Sequence, residues 1–144
     1  MTRDDVSQAI FGSFDGVVSV IGVMVALLAR PTPIIVEAAV GLAAASAVGM
    51  AAGEYLGDDT RNFRRAMVMG VATIVGTMCP VVPFMLFAKE LAIVVAVVLV
   101  LAISLAIARA RAEALAARAY VETFGVLFLA AGVTAVVSWL TGSA

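Results

Sequence analysis

The sequence contains no histidine, a single cysteine and few charged residues. Its 144 residues include only Cys79 as a thiol and 13% charged side chains. An internal disulfide and a zinc site of the usual Cys/His kind are therefore excluded. Nine basic against ten acidic residues give a formal net charge of −1, which leaves no polybasic surface for nucleic acid. A nucleophile paired with a base, or a cofactor motif, is also missing, so the sequence does not indicate an enzyme.

Apolar side chains are what the sequence has in excess. They make up 64% of the chain, and the mean hydropathy is +1.15, whereas soluble domains are about 45–50% apolar. Because so short a chain cannot bury this much apolar surface in its own core, we expect lipid to be its solvent. No small-residue cleavage site follows the apolar run that begins near Ile10, which argues against a removable signal peptide. The composition predicts an all-α, polytopic membrane protein.

Clusters of charge divide the chain into five apolar runs. A bilayer core of roughly 30 Å needs about 20 apolar helical residues, and each run is close to that length. The predicted spans are residues 10–29, 33–56, 66–87, 91–108 and 120–141. Together they predict a single transmembrane domain over residues 1–144.

Prolines mark two interruptions in this pattern. Pro31 and Pro33 predict a tight turn between the first two spans, because proline lacks the amide proton that continues a helix. Pro80 and Pro83 lie inside the third run, where they predict a kink or a broken helix at membrane depth.

The basic residues predict the orientation, because Lys and Arg near membrane ends are retained on the cytoplasmic side. With the amino terminus inside, the cytoplasmic face carries seven basic residues: Arg3, Arg61, Arg64, Arg65, Arg109, Arg111 and Arg118. The outer face carries two, Arg30 and Lys89. The prediction is a cytoplasmic amino terminus, an external carboxyl terminus and five crossings. The Ala- and Val-rich, loop-poor character suggests a prokaryotic plasma membrane.

Asp15 is the clearest ionisable residue within an apolar run. Ionisable groups at membrane depth usually face a bundle interior or an aqueous path, which makes them functional candidates. Ser19 follows Asp15 by four residues and shares its helical stripe, beside a Gly12/Gly16 groove that permits close helix contact. The alternative is that Asp15 caps a helix near the cytoplasmic interface.

Small residues recur every fourth position along the second helix. This glycine ridge consists of Gly41, Ala45, Gly49, Gly53 and Gly57, and it permits packing of helices at short backbone distance.

A polar stripe lies beside that ridge. It contains Ser46, Met50 and Glu54 at four-residue spacing, so a thioether and a carboxylate lie one turn apart. A carboxylate attracts any divalent cation, whereas a thioether favours Fe²⁺ over Mg²⁺ or Ca²⁺. Ordinary core packing is the alternative for Met50. Glu37, near the outer end of the helix, could line a path or reach the headgroups.

Three segments, taken in order, carry a resemblance to a known family. They are residues 10–19 (IFGSFDGVVS), 48–56 (VGMAAGEYL) and 76–83 (GTMCPVVP). The chain resembles the vacuolar iron transporter family, which includes the nodulin-like iron and manganese transporters, over essentially its whole length.

The resemblance implies a five-helix subunit that forms a homodimer, with the metal path between the first two helices of both subunits. Transport of Fe²⁺ or Mn²⁺ would run outward from the cytosol in exchange for protons, with no permanently bound cofactor. Asp15 and Met50 match the family's metal-path aspartate and methionine. Glu54 matches the glutamate near the cytoplasmic mouth.

This chain departs from the family pattern in one large feature. Many members have a glutamate- and methionine-rich cytoplasmic metal-binding domain between the second and third helices, whereas here only residues 57–65 connect them. Gly49 also stands where a serine is commoner.

The charges favour a dimer for such a site. Twofold symmetry would bring two copies of Asp15, Met50 and Glu54 toward one axis, with up to four carboxylates to offset the dehydration of a dication. Without histidine, a coupled proton must be carried by a carboxylate, and Asp15 is the natural carrier. Two other functions stay open, namely a membrane-embedded scaffold or assembly subunit and a small exporter of organic cations.

Overall fold

All regular structure in the described part of the chain is helical. A computed structural model describes residues 3–60 and 62–141, with the side chains of residues 3 and 112–116 left undescribed. The helices are α1 (Arg3–Ala26), α2 (Thr32–Gly57), α3 (Phe63–Met78), α4 (Val82–Leu86) and α5 (Lys89–Leu140). The all-α class predicted from the sequence is confirmed.

Within the described residues, four segments are long and apolar enough to cross a membrane. They are Asp4–Ala26, Thr32–Gly57, Lys89–Arg111 and Ala117–Leu140. Large apolar side chains on these segments, such as Val98, Leu129 and Trp139, are exposed, as expected for a surface solvated by lipid. The fold is that of a helical membrane protein.

The run predicted as the third span, residues 66–87, is divided between two helices. α3 has only 16 residues, and α4 begins after a turn that contains Pro80, which has no amide proton to continue the helix. The Val81 amide instead donates to the Met78 carbonyl at 2.9 Å. Pro80, Val81 and Phe84 are buried, so neighbouring helices cover the break, as non-helical backbone at membrane depth requires.

The 52-residue helical segment α5 is not straight but bends back on itself, and we call it the α5 hairpin. Arg111 Nη1 donates to Thr123 Oγ1 at 3.2 Å, although 12 residues of straight helix would place them about 18 Å apart. Val100 and Leu127 also belong to one buried cluster with Val17 of α1, which a straight helix would forbid. The chain therefore doubles back between Arg111 and Thr123, and the two arms are the separate candidate spans described above.

Two polar contacts define the ends of the molecule. Arg64 Nη2 donates to Asp5 Oδ2 at 2.9 Å, which places the start of α3 beside the start of α1; this is the Arg64 end. Lys89 Nζ donates to the Arg30 carbonyl at 2.8 Å, which places the start of α5 near the turn after α1; this is the Lys89 end. α3 and α4 together therefore connect the same two ends as α1.

Candidate functional site

Glycines in α1 set how it packs. A Cβ at Gly12 would collide with the Met69 carbonyl, and one at Gly16 would lie 2.8 Å from the Thr77 amide nitrogen. The backbones of α1 and α3 therefore meet directly at these two positions. The Thr73 and Thr77 hydroxyls at this contact donate back to the carbonyls of Met69 and Thr73, at 3.0 and 2.8 Å, so both buried hydroxyls are satisfied within α3.

Glu54 lies at the Arg64 end and is held by two other helices. Gln8 Nε2 of α1 donates to Glu54 Oε1 at 2.9 Å. Arg65 Nε of α3 lies 3.4 Å from the same oxygen. This nitrogen is buried and has no hydrogen-bond partner, so the contact with Glu54 is an ion pair without good hydrogen-bond geometry. Arg65 therefore offsets the charge of Glu54, the residue that the family resemblance implies lies near the mouth of a metal path.

The loop after α2 adds a second carboxylate beside Arg65. Asp58 Oδ2 lies 3.6 Å from Arg65 Nη1. The Thr60 hydroxyl donates to Asp58 at 2.7 Å and the Thr60 amide at 3.0 Å. These bonds to Thr60, assisted by the Arg65 charge, lower the pKa of Asp58 from its ordinary value. The carboxylate stays ionised near neutral pH and holds Arg65 in place.

Asp15 lies on the side of α1 that faces α2. It follows Gln8 by seven residues, which is nearly two helical turns and a rise of about 10 Å. Gln8 reaches Glu54 of α2, so Asp15 shares that side of the helix, as does Ser19. Both side chains are half-buried. Within the described ranges, no side chain donates a hydrogen bond to the Asp15 carboxylate.

Met50 and Ser46 come to about the same depth on α2. The two helices are antiparallel, so counting seven residues from Glu54 places Ala47 level with Asp15. Met50 and Ser46 lie within one turn of Ala47, and both are half-buried. Asp15, Met50 and Glu54 thus lie on neighbouring stretches of α1 and α2, and we call this region the α1/α2 groove.

The remaining sequence-predicted residues lie elsewhere. Glu37 is exposed near the Lys89 end of α2, and no contact joins it to the groove in the part of the chain described. A Cβ added at Gly41, Gly49 or Gly53 would meet nothing within 4 Å, so the glycine ridge packs against no other helix of the same chain. Pro80 lies in the turn between α3 and α4, and Pro83 lies in the first turn of α4; both are remote in sequence from the groove.

The described residues of one chain contain no cluster of acidic or thiol ligands. Among the described residues, no three Asp, Glu or Cys side chains converge as ligands. The sequence-predicted metal residues therefore lie on neighbouring stretches of α1 and α2, and among the described residues they form no closed coordination shell.

Two residues of the site, Gln8 and Arg65, were missed by the sequence analysis. Gln8 precedes the predicted start of the first span, and Arg65 was assigned only to the orientation signal. One signal in the sequence could have indicated Arg65: the carboxylate of Glu54 lies in an apolar helix, and Arg65 follows it across a short loop. Pairing with a cation reduces the cost of burying a carboxylate.

Comparisons of the chain with models of protein families, with curated proteins and with solved structures found no match. Any assignment of function therefore depends on the residues and contacts described above.

Proposed function

We propose that this protein is a homodimeric transporter that exports Fe²⁺ or Mn²⁺ from the cytosol, in exchange for protons, through a path at the dimer interface. The observation that carries the proposal is the α1/α2 groove. The Gln8–Glu54 hydrogen bond supports it. Counting along the two helices from this bond brings Asp15, a half-buried carboxylate with no side-chain donor among the described residues, to about the depth of the Met50 thioether.

The donor chemistry favours a transition metal as the substrate. A carboxylate oxygen binds any dication, and a thioether adds affinity for Fe²⁺ more than for Mg²⁺. Apolar helices surround these donors, so an ion that enters must exchange water for protein ligands. Asp15 and Met50 supply them at one level of the groove.

A second subunit would complete the ligand set. One chain has too few converging ligands, whereas a twofold axis beside the groove would double them. The glycine ridge supports this arrangement, because Gly49 and Gly53 are exposed and unobstructed and lie next to the Met50 stripe. Small residues of this kind let two membrane helices approach closely.

Proton coupling would use a carboxylate of the path. The chain has no histidine, and Glu54 is paired with Arg65. Asp15 has no such cationic partner in the described structure, so it can take a proton when the metal leaves and release one when the next metal binds.

Five crossings fit the two ends of the molecule. α3 and α4 connect the Arg64 end to the Lys89 end alongside α1, although the break at Pro80 leaves neither helix long enough to be a span alone. Arg64, Arg65 and Arg111 lie at one end and Arg30 and Lys89 at the other, as the excess of cytoplasmic arginine requires. The amino terminus is then cytoplasmic and the carboxyl terminus external.

Metal flux into proteoliposomes tests the proposal. We expect the purified protein to carry Fe²⁺ and Mn²⁺ faster than Mg²⁺, with a counterflow of protons. Asp15→Asn should abolish proton-coupled flux, and Met50→Leu should reduce the preference for Fe²⁺ over Mg²⁺ while it preserves side-chain volume. Glu37→Gln is the matched control, because it removes an exposed carboxylate from the Lys89 end.

Three results would contradict the proposal. Unchanged flux and proton coupling in Asp15→Asn would remove the aspartate from the path. A scaffold protein would show altered thermal stability in Met50→Leu and Glu54→Gln with no metal flux in any variant. An organic-cation exporter would transport lipophilic amines but neither Fe²⁺ nor Mn²⁺.

A further inference from the structure

A second cavity lies apart from the α1/α2 groove, between α1 and the hairpin of α5. It has a volume of about 720 Å³ and opens at the Arg64 end, where Val6 and Ser7 line it. Its walls are mostly apolar and include Phe11 and Phe14 of α1 and Val126 of α5. Such walls suit a hydrocarbon chain.

Among the described residues, Arg111 and Glu122 line the polar rim of this hairpin cavity, and Arg118 lies beside the rim through its contact with Glu122. Glu122 Oε1 accepts from Arg118 Nε at 2.6 Å, and Glu122 Oε2 accepts from Arg111 Nη2 at 3.2 Å. One carboxylate thus faces two guanidinium groups. Both arginines are accessible, with 39% of the Arg111 side chain and 72% of the Arg118 side chain exposed.

The rim also lies at the depth of lipid headgroups. The two apolar candidate spans of α5 are separated by a stretch of the sequence that carries Arg109, Arg111, Arg118 and Glu122, so we place this charged stretch at a membrane boundary. Basic pockets between helices at this depth bind the headgroups of anionic lipids. Guanidinium groups favour phosphate because they donate two parallel hydrogen bonds.

We propose that the hairpin cavity binds one anionic phospholipid of the adjacent leaflet. Its phosphate would contact Arg111 and Arg118, and an acyl chain would lie against Phe11 and Phe14. A cationic amphiphile does not fit, because the rim carboxylate Glu122 is already paired with both arginines. Such a lipid would join α1 to the α5 hairpin and does not depend on metal transport.

Native mass spectrometry of the purified full-length protein in detergent tests this site. Dioleoyl phosphatidylglycerol and dioleoyl phosphatidylcholine are titrated separately, and bound lipid is counted for each protein molecule. We expect the first phosphatidylglycerol to bind about tenfold more tightly than phosphatidylcholine, as charge-assisted hydrogen bonds to one phosphate would give.

Three variants separate the rim charge from the cavity. Arg111→Gln should remove the headgroup preference while Arg118 still holds Glu122. Ala110→Phe places a ring in the cavity, which Ala110 lines, and should weaken binding of both lipids. Arg109→Gln is the matched control, because it makes the same charge change at an exposed position of the same helix outside the lining, and should stay within about twofold of wild type.

Equal affinities of the wild-type protein for the two lipids would overturn the proposal. Equal losses in Arg109→Gln and Arg111→Gln would also overturn it, because they would indicate attraction to the net charge of the protein. If Arg111→Gln does not fold, the comparison of the two lipids on the wild-type protein and the Ala110→Phe variant still test the proposal. A lipid affinity that Ala110→Phe leaves unchanged would exclude binding in this cavity.

Discussion

Arg65 supplies the positive charge beside the two carboxylates at the mouth of the α1/α2 groove. Its guanidinium lies between Glu54 and Asp58, 3.4 Å from one carboxylate and 3.6 Å from the other. It is one of the few polar groups at the boundary between the helices, and only 27% of its side chain is exposed. A buried carboxylate with a cationic partner costs far less than one without a partner. Under the proposed function, a metal ion that arrives at Glu54 would have to displace Arg65.

Replacing Arg65 should improve metal capture at low concentration. In Arg65→Gln the groove mouth gains one net negative charge, and Glu54 keeps its hydrogen bond from Gln8. We expect the KM for Mn²⁺ in proteoliposomes to fall about threefold, because the metal no longer competes with an internal cation. Initial uptake rates over a range of Mn²⁺ concentrations at fixed pH measure this.

Arg64→Gln controls for the change in net charge. Arg64 lies at the same end, but 67% of its side chain is exposed and it pairs with Asp5. If the two variants lower the KM for Mn²⁺ equally, or if Arg65→Gln raises it, Arg65 does not compete with the metal at Glu54.

At the scale of helices, the glycines divide into two groups. Gly12, Gly16 and Gly76 are buried where α1 and α3 meet, and a Cβ at Gly76 would collide with the Ser13 backbone. Gly41, Gly49 and Gly53 of α2 face open space. The first group is needed for the fold of one chain, whereas the second has no such use within the described structure and is available for a second copy.

These groups should respond differently to substitution. Gly76→Ala should lower the free energy of unfolding by about 1–3 kcal/mol, because neither backbone can retreat easily from the added methyl group. Gly49→Leu should leave unfolding of the monomer within about 0.5 kcal/mol of wild type and weaken dimerisation, because a bulky side chain separates the helices. Denaturant unfolding and the concentration dependence of dimer formation in detergent measure the two effects.

Gly125→Leu provides the comparison, since Gly125 also faces open space but belongs to α5. It should change neither quantity. Equal dimer affinities for Gly49→Leu and Gly125→Leu would remove the glycine ridge from the interface.

Helix positions were more predictable than helix ends or contacts between helices. Long apolar runs and proline positions are local properties, so they predict where helices lie. α1 begins at Arg3, whereas the first predicted span begins at residue 10. The prediction followed hydropathy, and the first turn of α1 is polar. The stripes of Asp15 and of Met50 follow from periodicity within one helix. The contact of Gln8 with Glu54 joins residues 46 positions apart, and no periodicity within either helix predicts it.

The whole molecule has a marked asymmetry of charge between its ends. The Arg64 end carries ion pairs from α1, α2, α3 and the α5 hairpin, whereas no ion pair is found among the described residues of the Lys89 end, where Lys89 donates a hydrogen bond to the Arg30 carbonyl. Arginine retained at the first end predicts that it is cytoplasmic. The number of crossings then depends on α3 and α4, because their combined path connects the two ends while their break at Pro80 prevents a continuous span.

Cysteine accessibility should establish both the orientation and the number of crossings. On a Cys79→Ala background, single cysteines replace Asp59, Ala88 and Thr141, which are all exposed. Asp59 precedes α3 and Ala88 follows α4, so these two positions lie on opposite sides only if the intervening segment crosses. In intact bacterial cells, a membrane-impermeant maleimide should label the cysteines at 88 and 141, and should label position 59 only after permeabilisation.

The pattern of labelling distinguishes the alternatives. Positions 59 and 88 labelled from the same side would mean that α3 and α4 return to the side on which they began, and the chain would have four crossings. Position 59 labelled from outside, with 88 and 141 protected, would keep five crossings and reverse the orientation, which would place the Glu54 mouth outside and turn the proposed export into uptake. Protection of position 59 is therefore required for Arg65 and Glu54 to meet metal from the cytosol.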